Sequence, residues 1–69
     1  MLKNINYDLL ETITIISKSL YRYDAYIENA SESRECQEIW RHLKGARERD
    51  LQILLNELKR QVETGVFPL

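Results

Sequence analysis

Residues 9–27 carry the sequence LLETITIISKSLYRYDAYI, and the spacing of its apolar side chains decides the fold. These side chains recur every three or four residues and form one stripe, which consists of Leu9, Ile13, Ile16, Leu20, Tyr23 and Ile27. This heptad spacing predicts an amphipathic helix over about residues 5–29, capped by Asn4 or Asn6. The β-branched residues between positions 12 and 16 make a strand the competing assignment, but the heptad spacing continues through them.

A second helix is expected over about residues 34–64, after a turn at about residues 30–33. Ser31 or Ser33 can cap it, and Glu35 follows in its first turn. Its apolar positions are Cys36, Ile39, Trp40, Leu43, Ala46, Leu51, Leu54, Leu55, Leu58 and Val62. Gly65 stands where a left-handed residue ends many helices, and Pro68 prevents the helix from resuming. Residues 65–69 form an apolar tail that either folds back over the end of the helices or docks onto a partner.

The composition of the chain excludes several classes of protein. Its 69 residues suffice for one small domain, and 2 Gly with 1 Pro are too few for the tight turns of an all-β fold. The net charge of −1 supplies no field to attract nucleic acid or an anionic membrane. No apolar run approaches the roughly 20 residues of a membrane span, and the N-terminus lacks a secretory h-region. Because 1 Cys cannot form an internal disulfide, we expect a protein of the cytoplasm. The scarcity of turn residues predicts an all-α fold.

Two helices joined by a short turn pack as an antiparallel hairpin, which leaves much of each apolar stripe in contact with water. Chains of this size rarely bury enough apolar surface alone. The sequence therefore predicts a homodimer in which two hairpins form a four-helix bundle. The predicted interface is the set Leu9, Ile13, Ile16, Leu20, Tyr23, Ile27, Trp40, Leu43, Arg47, Asp50, Leu51, Leu54 and Leu58.

Two charged residues fall inside the apolar arc of the second helix. At about 100° per residue, Arg47 and Asp50 point close to the direction of Leu54. They stand three residues apart, so they can form an ion pair within one helix. They also lie near the middle of the expected bundle, where Arg47 of one chain can meet Asp50 of the other. In a third interpretation the apolar arc is narrower, and both side chains lie at a hydrated edge.

The sequence resembles the ferritin-like superfamily, in particular one helical half of rubrerythrin-type proteins. The matching segments are residues 21–26 (YRYDAY), Ile39 with Trp40, and residues 46–51 (ARERDL). The resemblance implies a helical hairpin that contributes metal ligands, among them a Glu-x-x-His motif. Its Glu and His positions hold Arg47 and Asp50 here, and the carboxylate of the first helix falls at Thr14.

This departure from the family pattern argues against oxygen or peroxide chemistry, because a guanidinium does not bind a metal ion. We therefore expect no cofactor and no catalytic residue, and we predict a non-catalytic interaction module. The alternative is a ferritin-like metal-binding or redox protein with divergent ligands, drawn from Glu11, Asp24, His42 and Asp50.

His42 and Cys36 are the remaining candidates for chemistry, and each also has a structural interpretation. His42 has Glu38 one turn before it, so we expect an edge histidine paired with that carboxylate rather than a base or a ligand. Cys36 lies on the apolar arc, which favours a buried structural thiol over a nucleophile.

Three tyrosines, Tyr21, Tyr23 and Tyr26, cluster close to the turn. Aromatic clusters can stack on nucleic-acid bases or bind a partner. We expect these rings instead to pack in the core at the end of the bundle, next to Ile39 and Trp40.

Overall fold

The computed structural model describes residues 3–67 and contains two α-helices, α1 (Asn4–Asn29) and α2 (Arg34–Glu63), with no strand among those residues. The all-α prediction is therefore confirmed for this part of the chain. At ~1.5 Å per residue the two helices are roughly 39 and 45 Å long, and the structure measures 49 × 18 × 13 Å. Neither helix combines the length and apolarity that crossing a membrane requires, in a search of residues 3–67.

The start of α1 differs from the sequence-based expectation. Lys3 is the N-cap and no side chain caps the helix, so the prediction that Asn4 or Asn6 does so is wrong. Asn4 is already helical, and the Asn6 side chain is fully buried against α2, where it donates to Gln61. The backbone of Lys3 alone closes the first turn, because its carbonyl accepts from the amides of Asn6 and Tyr7 at 3.0 Å each.

Side-chain hydrogen bonds at the turn cap α2 and join it to α1. Of the two candidate caps, Ser33 is the N-cap of α2, and its Oγ accepts from the Cys36 amide at 3.2 Å. Gln37 Nε2 donates to the Ile27 carbonyl at 2.9 Å. That carbonyl lies in the last turn of α1, where carbonyls lack partners within the helix. The hydrogen bond therefore completes α1 and also joins it to α2.

The end of α2 follows the expected pattern. Gly65 has φ +76°, the left-handed conformation that favours glycine. After it the chain turns back, so that the Phe67 amide donates to the Gln61 carbonyl at 3.0 Å and the Val66 carbonyl lies 3.5 Å from Asn6 Nδ2. The described part of the tail thus reaches the first turn of α1. Pro68 and Leu69, which belong to the predicted tail, lie outside the described residues.

The helices pack antiparallel, but they bury little. Hydrogen bonds join the start of α1 to the end of α2 at Asn6 and Gln61, and the end of α1 to the start of α2 at Ile27 and Gln37. Among the described apolar side chains only Leu9 is buried, at 7% exposure. The other residues of the α1 stripe are half-buried, as are the remaining residues of the predicted interface.

Candidate interaction surface

One face of α2 carries a row of half-buried residues along its length. We call it the α2 row, and it consists of Cys36, Trp40, Leu43, Arg47, Asp50, Leu54 and Glu57. Its members alternate at spacings of four and three residues, which places them on one face of a helix. Each of them remains partly exposed, although α1 packs against the same helix. The α2 row is therefore a surface that α1 covers only in part.

The charged centre of this row is an ion pair within the chain. Arg47 Nη2 lies 3.0 Å from Asp50 Oδ2, and the two side chains are 41% and 45% exposed. Contact along one helix is thus the geometry that the single chain adopts. The pairing is incomplete, because Arg47 Nε is shielded from solvent and has no acceptor within residues 3–67.

Three aromatic rings close the surface at the turn end. The ring centroids of Tyr26 and Trp40 lie 4.9 Å apart, and Tyr23 lies 6.0 Å from each of them. Such tilted and edge-to-face arrangements are favourable for aromatic pairs. Tyr21 does not belong to the cluster, because its side chain is 79% exposed, so the prediction that it packs with the other two is wrong.

An open cleft of about 320 Å³ adjoins these rings. Its lining is mainly apolar and consists of Tyr26, Asn29, Ala30, Cys36 and Trp40. Cys36 is half-buried in this wall rather than enclosed, so the expectation of a buried thiol is met only in part. The cleft continues the α2 row toward the turn.

A buried polar network closes the opposite end of the hairpin. Asn6 Nδ2 donates to Gln61 Oε1 at 2.8 Å, and these two side chains are 0% and 1% exposed. Gln61 Nε2 donates in turn to Glu57 Oε2 at 2.9 Å, and Arg60 donates twice to the same carboxylate. These hydrogen bonds lower the pKa of Glu57 from 4.5 to about 2, and the one from Arg60 contributes more than the one from Gln61.

Sequence reasoning missed this network because an Asn near a helix start is typical of a cap. The signal was nevertheless present, since Asn6 stands three residues before Leu9 and so continues the heptad row of α1. A polar residue on such a row commonly pairs with a polar partner across the helix interface.

The candidate metal ligands are engaged elsewhere or exposed. Asp24 Oδ1 accepts from Lys44 Nζ at 2.6 Å, and this hydrogen bond raises the pKa of Lys44. Asp50 pairs with Arg47, while Glu11 and His42 are exposed. A search of residues 3–67 for three neighbouring His, Cys, Asp or Glu side chains that could hold a metal ion finds none.

The predicted pairing of Glu38 with His42 is also not what the structure contains. Glu38 Oε1 instead accepts from Arg34 Nε at 3.2 Å, on the preceding turn of α2. The side chain of His42 is exposed, and the Glu38 carboxylate that was expected to orient it accepts from Arg34 instead.

Comparison of the chain with family models, with curated proteins and with solved structures found no match. The ferritin-like resemblance therefore stays a prediction, and function is argued from the surface itself.

Proposed function

We propose that this protein is a non-catalytic helical interaction module that acts as a homodimer, in which two hairpins form a four-helix bundle through their α2 rows. The observation that carries the proposal is the partial exposure of that row in the single chain. A half-buried free thiol at Cys36 suits the reducing cytoplasm, where we place the protein.

The accessible surface supports a second copy. A compact monomer of 8.2 kDa is expected to expose about 4,500 Å², whereas this chain exposes 5347 Å². The excess of roughly 800 Å² equals the area that each partner buries in an interface of ordinary size. An interface of ordinary size would therefore bring the exposure of each chain to that of a compact monomer of its mass.

The shape of the chain points in the same direction. Its radius of gyration is 15.6 Å, compared with about 11 Å for a compact domain of this length. A second hairpin laid against the 49 Å long face would thicken the particle without lengthening it. Two chains together approach the proportions of a globular domain of twice this length, whose expected radius of gyration is about 14 Å.

Large apolar side chains remain exposed on both helices. Ile39 and Ile53 on α2 are 58% and 66% exposed, and Ile15 on α1 is 57% exposed. Exposed apolar residues that adjoin one another mark interaction surfaces, whereas scattered ones are normal. Ile39 and Ile53 lie within roughly 100° of Leu54 on α2, so they widen the apolar surface around the α2 row.

Sedimentation equilibrium at micromolar concentration tests the proposal. We expect a particle of about 16 kDa, twice the mass of one chain. A folded helical monomer under these conditions would overturn the proposed function.

Alanine variants at two neighbouring arginines locate the interface. Arg47→Ala removes a half-buried member of the α2 row, whereas Arg49→Ala changes an exposed residue two positions away. We expect Arg47→Ala to raise the dissociation constant at least tenfold, because Asp50 is left without its cation. Arg49→Ala should leave the dissociation constant within about twofold of the native value. Equal small effects would contradict an interface centred on Arg47.

A further inference from the structure

The geometry points to one orientation of the second copy. We infer that the two hairpins bind antiparallel, with their turns at opposite ends of the bundle, so that Arg47 of each chain meets Asp50 of the other. This inference rests on the proposed homodimer and goes beyond it, because it names the arrangement of the partner and the residues that select it.

The α2 row matches itself when it is reversed. The helix spans Arg34–Glu63, so its centre falls between Glu48 and Arg49. Reversal about that centre exchanges Arg47 with Asp50 and Leu43 with Leu54, and it sets Trp40 against Glu57. Because the row alternates in spacings of four and three residues, each of these positions lands on another member of the row. Full overlap of two antiparallel α2 helices therefore places the two rows in register.

Charge complementarity also favours the antiparallel arrangement. In the antiparallel arrangement, each level at the centre of the bundle contains one Arg47 and one Asp50, and both ions gain an opposite charge. With both turns at the same end, a two-fold axis along the bundle would bring the two Arg47 to one level and the two Asp50 to another. Like charges meeting in a partly desolvated centre are unfavourable.

The charges of the row also favour one register of the two α2 helices. Shifting one α2 by two turns in one direction sets Arg47 opposite Leu43 of the other copy. The same shift in the other direction sets Arg47 against Glu57 but leaves Asp50 facing Leu54. Both shifts leave a charged group of the row opposite a leucine of the other copy, so that it loses hydration and gains no partner beyond the ion pair within its own chain. At full overlap Arg47 and Asp50 each gain a partner in the other copy and Leu43 meets Leu54. Glu57 then faces Trp40, but its carboxylate keeps the hydrogen bonds from Arg60 and Gln61.

Distance measurement between spin labels tests the orientation. The background variant Cys36→Ser removes the native thiol, and Glu32→Cys places a label in the exposed turn. In the antiparallel dimer the two labelled turns are separated by about 33 residues of helix rise, or roughly 50 Å. With turns at the same end, the separation would fall below about 25 Å, the width of two adjacent helices.

A matched variant controls for dimer formation. Glu48→Cys in the same background labels an exposed residue beside the proposed two-fold axis, so its two labels should lie within about 25 Å. A long distance from position 32 with a short one from position 48 supports the inference. Short distances from both positions, or any other combination in a proven dimer, overturn the orientation and leave the homodimer standing. A monomer in sedimentation overturns the proposed function itself.

Charge reversal provides a second measurement with unlabelled protein. Arg47→Asp makes the centre wholly acidic and Asp50→Arg makes it wholly basic, so each variant alone should dimerise at least tenfold more weakly than the native chain. An equimolar mixture restores both opposite-charge contacts and should bind within about threefold of the native dimer. A mixture that binds at least tenfold more tightly than the native protein would show that the native dimer places like charges together, which overturns the inference. Single variants that dimerise as tightly as the native chain would also overturn the inference.

Discussion

The two ends of the hairpin are closed by opposite chemistry. At the turn end, three aromatic rings pack against one another, whereas at the other end two buried amides form a hydrogen bond. Apolar contact is non-directional and tolerates small shifts of one helix along the other. The hydrogen bond between Asn6 and Gln61 does not tolerate such a shift, because the shift would leave both amides buried and unpaired. The turn end therefore supplies stability, and the open end defines how the helices align.

The largest expected effect is the loss of Trp40. We expect Trp40→Ala to lower the free energy of unfolding by about 3 kcal/mol, because it removes the ring that both Tyr23 and Tyr26 contact. Chemical denaturation at one fixed protein concentration, followed by far-UV circular dichroism, measures this loss in the free energy of unfolding. The control is Tyr21→Ala, whose ring is 79% exposed and should cost less than about 0.5 kcal/mol. Equal losses would contradict the assignment of the aromatic cluster.

The next effect probes the amide pair. Asn6→Ala should cost about 2 kcal/mol, because Gln61 Oε1 stays buried without its donor. The double variant Asn6→Leu with Gln61→Leu should recover much of that loss, since it removes both polar groups together. A double-mutant cycle from denaturation curves measures the coupling energy. Additive effects would show that the two amides act independently and would remove the contrast between the ends.

A smaller effect concerns the N-cap of α2 at the turn end. Ser33→Ala should cost about 1 kcal/mol, because the Cys36 amide loses its acceptor at the start of α2. Ser31→Ala is the matched control, since Ser31 is exposed in the same turn and is not the cap. The same denaturation assay compares them, and a larger loss at Ser31 would reassign the cap.

The smallest expected effect is a pH dependence at the open end. The pKa of Glu57 is lowered from 4.5 to about 2, so the contribution of its carboxylate to stability is complete above pH 4.5 and is lost as the pH falls toward 2. Denaturation curves at pH 5.5 and pH 2.5 should therefore show a smaller acid-induced loss for Glu57→Gln than for the native chain. Arg60→Gln should reduce the loss as well, because it removes the main donor to that carboxylate. Identical pH dependence in all three proteins would contradict this role.

The sequence predicted those parts of the fold that depend on local pattern. The spacing from Leu9 to Ile27 indicated α1 despite its β-branched segment, and Gly65 has the expected left-handed conformation. Between Ser31 and Ser33 the sequence left the cap open, because both residues have the right chemistry and only the course of the turn distinguishes them.

Contacts between distant residues were not predictable from such patterns. Asn6 and Gln61 are far apart in the chain, and an amide side chain is compatible with a cap, a surface or a buried pair. Glu38 has a cation one turn before it and a histidine one turn after it, so spacing alone did not decide between Arg34 and His42. For the interaction surface, the sequence located Arg47 and Asp50 on the apolar arc and offered an ion pair within the helix among three interpretations. The structure contains that ion pair and adds the exposure of the two side chains.

Trp40 is the single tryptophan of the chain, and it lies among the rings at one end of the hairpin. Its fluorescence therefore reports the environment of that end alone, while far-UV dichroism averages over both helices. If the amide end frays before the aromatic end opens, the dichroism curve will begin to fall while the emission stays unchanged. The native protein thus contains an optical probe that can tell, without any labelling, whether its two ends melt as one unit.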